Sequence, residues 1–497
     1  MSTGSGAAPQ SSGAATTVTT TSLLDRVVSQ TKQTPRDEAV DLLQQFMEAI
    51  NAKTISIDKN HIATLERAIE ELDERLSKQL ATVMHHPQFQ KLEGSWRGLH
   101  YLVDKTETST SLKIRMLNVS KKELKNDLQQ AIEFDQSETW KRIFEEEYGT
   151  PGGNPFGAMV GDYEFENTND DIDTLSRMSK ISAACFAPFI TSPSPKLFGF
   201  DNWTDLKNPR DIAKIFDSKA YIKWNAFRAT DESRFVVMSM PRVLARLPYG
   251  TAKPIDEFDF QEVALGPNRS PISVPHDQYC WMNAAYVMGT RLTDAFARTG
   301  FCTAIRGAEG GGRVSDLPTY VFSTDDGDLD AKCPTEIAIT GRREKELSDT
   351  GFLPICHYKN TDYAVFFGAQ TTQKPVKYDR PEATANAQIC ARLPYIMAVS
   401  RFSHFLQVMG RNKVGSFLEA SETEKLLDRW INNYVSTNNP DADTKARLPL
   451  AAAQVKVEEI PGKPGSYHAV LHMRPWLQME ELTASMRLVA RIPQNKS

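Results

Sequence analysis

The first regular pattern in the chain is helical. Thr34-Pro35, with Asp37 just beyond, places an N-cap and a first-turn proline ahead of Ala39, Leu42, Leu43, Phe46 and Ile50, which recur at helix spacing. After a polar break come Ile62, Leu65, Ile69, Leu72, Leu76, Leu80 and Val83, at steps of three and four. Glu, Lys and Arg are frequent between them. Such a heptad-like seam predicts pairing with another helix, in the same chain or in a partner. Ahead of both lies a shorter stripe, Leu23, Leu24, Val27 and Val28, opened by Ser22 with Asp25 three residues on. A helix this short is marginal alone. It is either the ragged start of the next helix or a docking helix on a tether. Residues 1–22 would be that tether: mostly Ser, Thr, Gly and Ala, uncharged, with too little apolar surface to offset chain entropy.

Further along, the rhythm mixes. Residues 111–116 alternate and predict a half-buried strand. Helices are expected over 137–148, 172–184, 211–228 and 281–298. The 211–228 helix would carry Lys214, Lys219, Lys223 and Arg228 opposite Ile212, Ile215 and Phe216. From Thr335 onward strands are expected at 336–339, 353–358, 363–367, 454–458, 467–473 and 486–492. Two long helices, 388–408 and 422–434, lie between them. This mixture predicts an α+β fold rather than a regular βαβ alternation. No internal repeat is visible.

Composition narrows the function classes. A length of 497 residues suggests about three domains. Lys plus Arg is 58 and Asp plus Glu is 63, for a net charge of −5, without the basic stripe of a nucleic-acid binder. The longest weakly polar stretch, residues 181–190, is about half of the ~20 residues that a membrane-spanning helix needs. The six cysteines are scattered without a C-x-x-C, which predicts buried free thiols in a reducing compartment. The N-terminus lacks a charged segment followed by an apolar core, so a cytoplasmic location is expected.

Candidate chemistry is sparse. Gly307-Ala308-Glu309-Gly310-Gly311-Gly312-Arg313 lacks P-loop spacing and reads as a flexible or close-packed loop. His468 and His472 share a strand face without further ligands at zinc spacing, and His85-His86 stand alone. Residues 325–330 imitate part of an EF-hand but lack the glutamate at the twelfth position. No G-x-S-x-G, H-E-x-x-H or H-R-D set occurs. Neither a cofactor nor a metal is expected. An enzyme would have to assemble its site from scattered residues such as His404, Asp325 and Glu309.

Several stretches together resemble one family, the large subunit of the bacterial type VI secretion contractile sheath (TssC, VipB or EvpB type). They are Leu92-Glu93-Gly94-Ser95-Trp96-Arg97-Gly98-Leu99, then Pro155-Phe156-Gly157-Ala158-Met159-Val160-Gly161-Asp162-Tyr163-Glu164-Phe165 and Met240-Pro241-Arg242-Val243-Leu244-Ala245-Arg246-Leu247-Pro248-Tyr249-Gly250. Glu309-Gly310-Gly311-Gly312, Gly351-Phe352-Leu353-Pro354 and Arg401-Phe402-Ser403-His404-Phe405 extend the likeness. Their order and spacing are specific, although no single stretch is diagnostic.

The resemblance implies a multi-domain structural subunit. It would pair with a small sheath subunit (TssB/VipA type), stack helically around an inner tube (Hcp type), join a baseplate and contract. A ClpV-type AAA+ ATPase would then disassemble the spent sheath through a short N-terminal helix. The resemblance therefore assigns Leu23, Leu24, Val27 and Val28 to ATPase docking. It makes Ile62, Leu65, Ile69, Leu72 and Leu76 candidates for small-subunit pairing, and Lys219, Lys223 and Arg228 candidates for facing the tube. The expected divisions are an arm at 1–35, a helical segment at 36–105, a middle α/β region at 106–315 and a tube-side core at 316–497. Neighbouring chains would complete the strand-rich C-terminal part. A phage-type tail sheath or baseplate component is the alternative, and a single chain forming tubes would mark it.

Overall fold

The computed structural model describes residues 35–52, 61–208 and 211–479, except positions 252, 257, 266–270, 325, 327, 417–418, 437–439 and 463–465. The chain divides into two units: Met1–Leu80 with Ile255–Phe260, and Ala81–Pro254 with Gln261–Ser497. In the first, both periodic segments are helical, as Arg36–Asn51 and as the start of the helix His61–Met84.

The second unit is built on a parallel four-stranded sheet in the order Met159–Phe165, Phe189–Pro193, Val236–Met240, Leu353–Pro354. Its alternating side chains serve two cores. Phe165, Phe189, Val236, Met238 and Met240 face the helix Asn169–Cys185 and an aromatic cluster of Phe198, Phe216, Trp224 and Phe352. Ile190, Val237 and Leu353 face the helix Ala284–Thr299, together with Leu393 and Met397. A third core joins Phe402, Leu427 and Ile431 to the hairpin Leu450–Glu459/Tyr467–Pro475. Helix and sheet are thus mixed, as expected for an α+β fold.

The two central strands of this sheet carry no strand signal in the sequence, for a physical reason. Phe189–Pro193 and Val236–Met240 are buried at every position, so they lack the alternation that marks a half-exposed strand.

Other elements depart from the pattern. Residues 111–116 keep their alternation, with Leu112 and Ile114 half-buried between exposed neighbours, yet they form no strand. Residues 336–339 form none either: Glu336 is drawn onto Arg242, at 2.7 Å from both Nε and Nη2. The 211–228 segment is broken into Ile212–Phe216, a 3-10 turn Lys219–Tyr221, and Ile222–Arg228. The break brings Phe216 and Tyr221 into one core with ring centroids 5.0 Å apart. Residues five apart would point roughly 140° away from each other on an unbroken helix.

Trp281–Met282 is a strand paired with Val243–Leu244, and the following helix begins only after Asn283, whose side chain accepts from Ala285 N. The 388–408 segment is two helices, Pro381–Cys390 and Leu393–Lys413. The 137–148 segment passes from Glu138–Trp140 into a π-helix, Lys141–Gly149, that stacks Trp140 on Phe144 at 4.1 Å. The 486–492 strand lies outside the described residues. All six cysteines are free, but only Cys185, Cys280 and Cys356 are buried; Cys390 is exposed.

Candidate partner surfaces

The seam on His61–Met84 is exposed along its whole length. Ile62, Leu65, Ile69, Leu72, Leu76, Leu80 and Val83 are each 39–65% accessible, whereas the buried positions Ala68, Ser77 and Met84 lie off the row. The row spans ~32 Å at 1.5 Å per residue. Glu74 and Lys78 pair beside it at 2.6 Å. Fully burying a Leu or Ile side chain is worth about 1.5–3 kcal/mol, so a helix laid along this row gains substantially from desolvation. Leu23, Leu24, Val27 and Val28 lie outside the described residues.

A second apolar row was not singled out from the sequence. Phe89, Leu92, Trp96 and Val103 are exposed on one face of the helix Pro87–Asp104, with Trp96 at 59%. Their spacing of three, four and seven carries the helical signal, but it overlaps a stretch noticed only for its likeness. The opposite face presses on the molecule through glycines. A Cβ on Gly94 would sit 2.3 Å from the Trp281 carbonyl oxygen, and one on Gly98 would sit 2.3 Å from Tyr286 Cδ2. Only glycine allows that approach.

Two of the stretches that carried the likeness, 92–99 and 240–250, meet here. Arg246 donates to Glu93 from Nε (2.5 Å) and Nη2 (3.0 Å), and to Glu262 from Nη1 (2.6 Å) and Nη2 (3.0 Å). Arg97 bonds Glu93 at 2.6 Å and the Tyr249 hydroxyl at 2.9 Å. Burial raises the Glu93 pKa, and the Arg246 and Arg97 bonds outweigh it, so the carboxyl stays below its ordinary range. Nearby, Glu336 lies between Arg242 (2.7 Å) and His276 Nε2 (3.0 Å) and is likewise held low against its burial.

Lys219 and Lys223 are exposed. Arg228 is not available to a partner, which corrects its expected place on the same face. It is 4% exposed and donates to the Thr372 carbonyl at 2.9 Å and the Asp349 carbonyl at 3.4 Å. Burial pushes its pKa down to about 10.

The C-terminal hairpin has one occupied edge. The Val455 N–H donates to Asp428 Oδ1 at 3.3 Å and the Val457 N–H to Glu424 Oε2 at 2.9 Å, so carboxylates of the helix Ala420–Asn432 cover the outer side of Leu450–Glu459. Tyr467–Pro475 pairs on one side only among the described strands.

The His404 ring is buried, with Nε2 2.8 Å from the Cys185 carbonyl, Glu309 is exposed, and Asp325 lies outside the described residues. The glycine run is a close-packed loop, with Gly307 N bonded to the Phe366 carbonyl and Phe366 N to the Gly312 carbonyl. Among the described residues no group of three or more His, Cys, Asp or Glu could hold a metal, and no helix is long and apolar enough to cross a membrane.

Comparison with known proteins places these surfaces in context. Residues 66–373 match the VipB family described as EvpB/VC_A0108, tail sheath N-terminal domain. Residues 382–492 match the corresponding tail sheath gpW/gp25-like domain. The type VI secretion system sheath protein TssC1 of Pseudomonas aeruginosa is 48% identical over 449 residues, covering 89% of each chain. Among solved structures, the anti-feeding prophage baseplate aligns over 64% of this chain and 66% of its own at 11% identity and a TM-score of 0.34. The contracted helical sheath of the same prophage aligns over 66% and 76% at 12% identity and a TM-score of 0.24. On the strength of the two domain matches and the relative that spans nearly its whole length, the chain belongs to the VipB/EvpB family of tail sheath proteins.

Proposed function

We propose that the protein is the large subunit of a type VI secretion contractile sheath, assembling with a small subunit around an inner tube and contracting to expel it. The observation that carries this reading is the match to a type VI sheath protein over 89% of each chain. Heterologous contacts that do not close generate a helical filament. Energy for contraction would be stored in the extended lattice at assembly, so the subunit itself needs no nucleotide chemistry.

The exposed row Ile62, Leu65, Ile69, Leu72 and Leu76 is the proposed seat of a TssB-type helix, because knobs at this spacing fit a second helix. Lys219 and Lys223 are the proposed contacts to an Hcp-type tube, setting register through charge. The stripe Leu23, Leu24, Val27 and Val28 is the proposed docking helix for a ClpV-type ATPase, its apolar pairs suited to a groove. Substituting Leu24→Ala with Val27→Ala should abolish capture by the ATPase N-terminal domain, and undiminished capture would remove that role.

Co-purification tests the pairing. An Ile69→Asp, Leu72→Asp double variant should weaken recovery of the small subunit by ~30- to 1,000-fold, the equivalent of roughly 2–4 kcal/mol. Glu70→Lys, off the row, should leave recovery unchanged. Equal recovery with the double variant would place the partner elsewhere.

A further inference from the structure

We propose that an aromatic and cationic surface patch, Tyr358, Tyr363, Phe367 and Arg313, is the seat on which a second copy of this chain lays its hairpin Val321–Ser323/Leu329–Ala331. The inference rests on the sheath reading and names one copy-to-copy contact within it.

The patch is held in place by its own turn. The strand Cys356–His357 pairs with Ala364–Val365, and that strand pairs with Arg313–Val314. Between them, Thr361 Oγ1 donates to the Tyr358 carbonyl at 2.8 Å, and the Thr361 carbonyl lies 2.7 Å from His357 Nε2. The rings cluster as a result. Tyr358 stands 5.0 Å from Tyr363 and 5.9 Å from Phe367, centroid to centroid. The Arg313 guanidinium lies over the Tyr363 ring at 4.2 Å. Tyr358, Phe367, Arg313 and the neighbouring Lys359 are all exposed. Tyrosine and arginine are the residue types that carry much of the energy of protein contacts. Stacking fixes the plane of Arg313. Neither Arg313 nor Lys359 has an ion pair among the described residues.

The hairpin has the complementary chemistry. Val321 pairs with Ala331 and Ser323 with Leu329, so these four side chains share one face. Val321 is 48% exposed and Leu329 76%. Phe322, on the other face, packs against a core of Leu244, Val263, Val274, Tyr279 and Tyr320. The hairpin is therefore anchored from within, and its aliphatic face is left to solvent. Asp326, Asp328 and Asp330 are exposed, and they too have no ion pair among the described residues. Laid on the patch, the aliphatic side chains cover the rings while the aspartates meet Arg313 and Lys359. Charge then sets the register and apolar burial adds affinity. Patch and hairpin are different surfaces, so each copy gives one and receives the other. A heterologous contact of this kind propagates into a filament when it does not close.

The test uses the full-length chain assembled with its small subunit. A photo-crosslinking residue in place of Tyr358 should bond, within assembled sheaths, to a peptide from residues 321–331 of another copy. Mass spectrometry of sheaths mixed from isotope-labelled and unlabelled large chains reads this directly. A crosslink to the small subunit, to the inner tube, or only within one copy would overturn the proposal. Charge exchange is the second arm. Arg313→Glu with Lys359→Glu, and separately Asp326→Lys with Asp328→Lys, should each cut the yield of sheaths on the order of tenfold, with recovery of the heterodimer unchanged. All four substitutions in one chain should restore sheaths. Parental yield from either pair, or no recovery with all four, would also overturn it. Should a variant lose the heterodimer, the crosslink decides the matter alone. Sheaths from the unsubstituted chain keep the sheath reading intact wherever the crosslink falls, and their absence would remove that reading and this contact together.

Discussion

The Arg246 guanidinium grips both oxygens of Glu93, at 2.5 and 3.0 Å, and so ties the helix Pro87–Asp104 to a segment 153 residues away. Removing Glu93 leaves Arg246 on Glu262 alone and Arg97 on the Tyr249 hydroxyl, at a cost below the about 3–5 kcal/mol of a fully uncompensated buried charge. Glu93→Gln should therefore lower the urea midpoint of the purified complex, with little change in the slope of the transition. A midpoint within error of the parent protein would show that Glu262 alone satisfies Arg246.

The same pair has a defined pH dependence. The folded-state pKa of Glu93 is held below its ordinary value. Its contribution is therefore present above the unfolded pKa and disappears as pH falls through the folded one. The stability gap between the parent and Glu93→Gln should be constant from pH 7 to about 5 and close below about 4. A gap that widens in acid would reverse the sign argued here.

Strand addition at the C-terminal hairpin should use one edge. In Leu450–Glu459 the N–H groups of Val455 and Val457 point outward, onto Asp428 and Glu424. Alternation in an antiparallel pair then makes Ala469, opposite Val457, an outward residue of Tyr467–Pro475. Ala469→Pro should spare the hairpin's own bonds and block an added strand. Imaging should show heterodimers that no longer polymerise. Full-length sheaths from this variant would move strand addition to another site.

Charge reversal separates tube contact from subunit pairing. Lys219→Glu with Lys223→Glu should leave the heterodimer intact and yield sheaths lacking a tube. Arg228 is left out of this set because it is buried against two backbone carbonyls. Tube-filled sheaths in the double variant would show that these lysines face elsewhere.

Much of the helical frame was legible because its signal is local. The rows at 39–50 and 62–83 are read from spacing alone, and both segments are helices. The two central strands of the parallel sheet, Phe189–Pro193 and Val236–Met240, were not legible, since strands buried on both faces carry no alternation. The break between Phe216 and Tyr221 was hidden too, because it answers to the aromatic core around Phe198 and Phe352 rather than to nearby residues. The burial of Arg228 depends on carbonyls more than 100 positions downstream, beyond the reach of a local pattern. The seam's exposure was one of two open readings: its spacing announces a helix partner but not whether that partner lies in the same chain.

Electron microscopy of this chain co-expressed with its small subunit tests the central claim most directly. The account expects long hollow tubes with helical symmetry that require both chains, and none from the large chain alone. Discrete particles of fixed mass from the two chains together would contradict it.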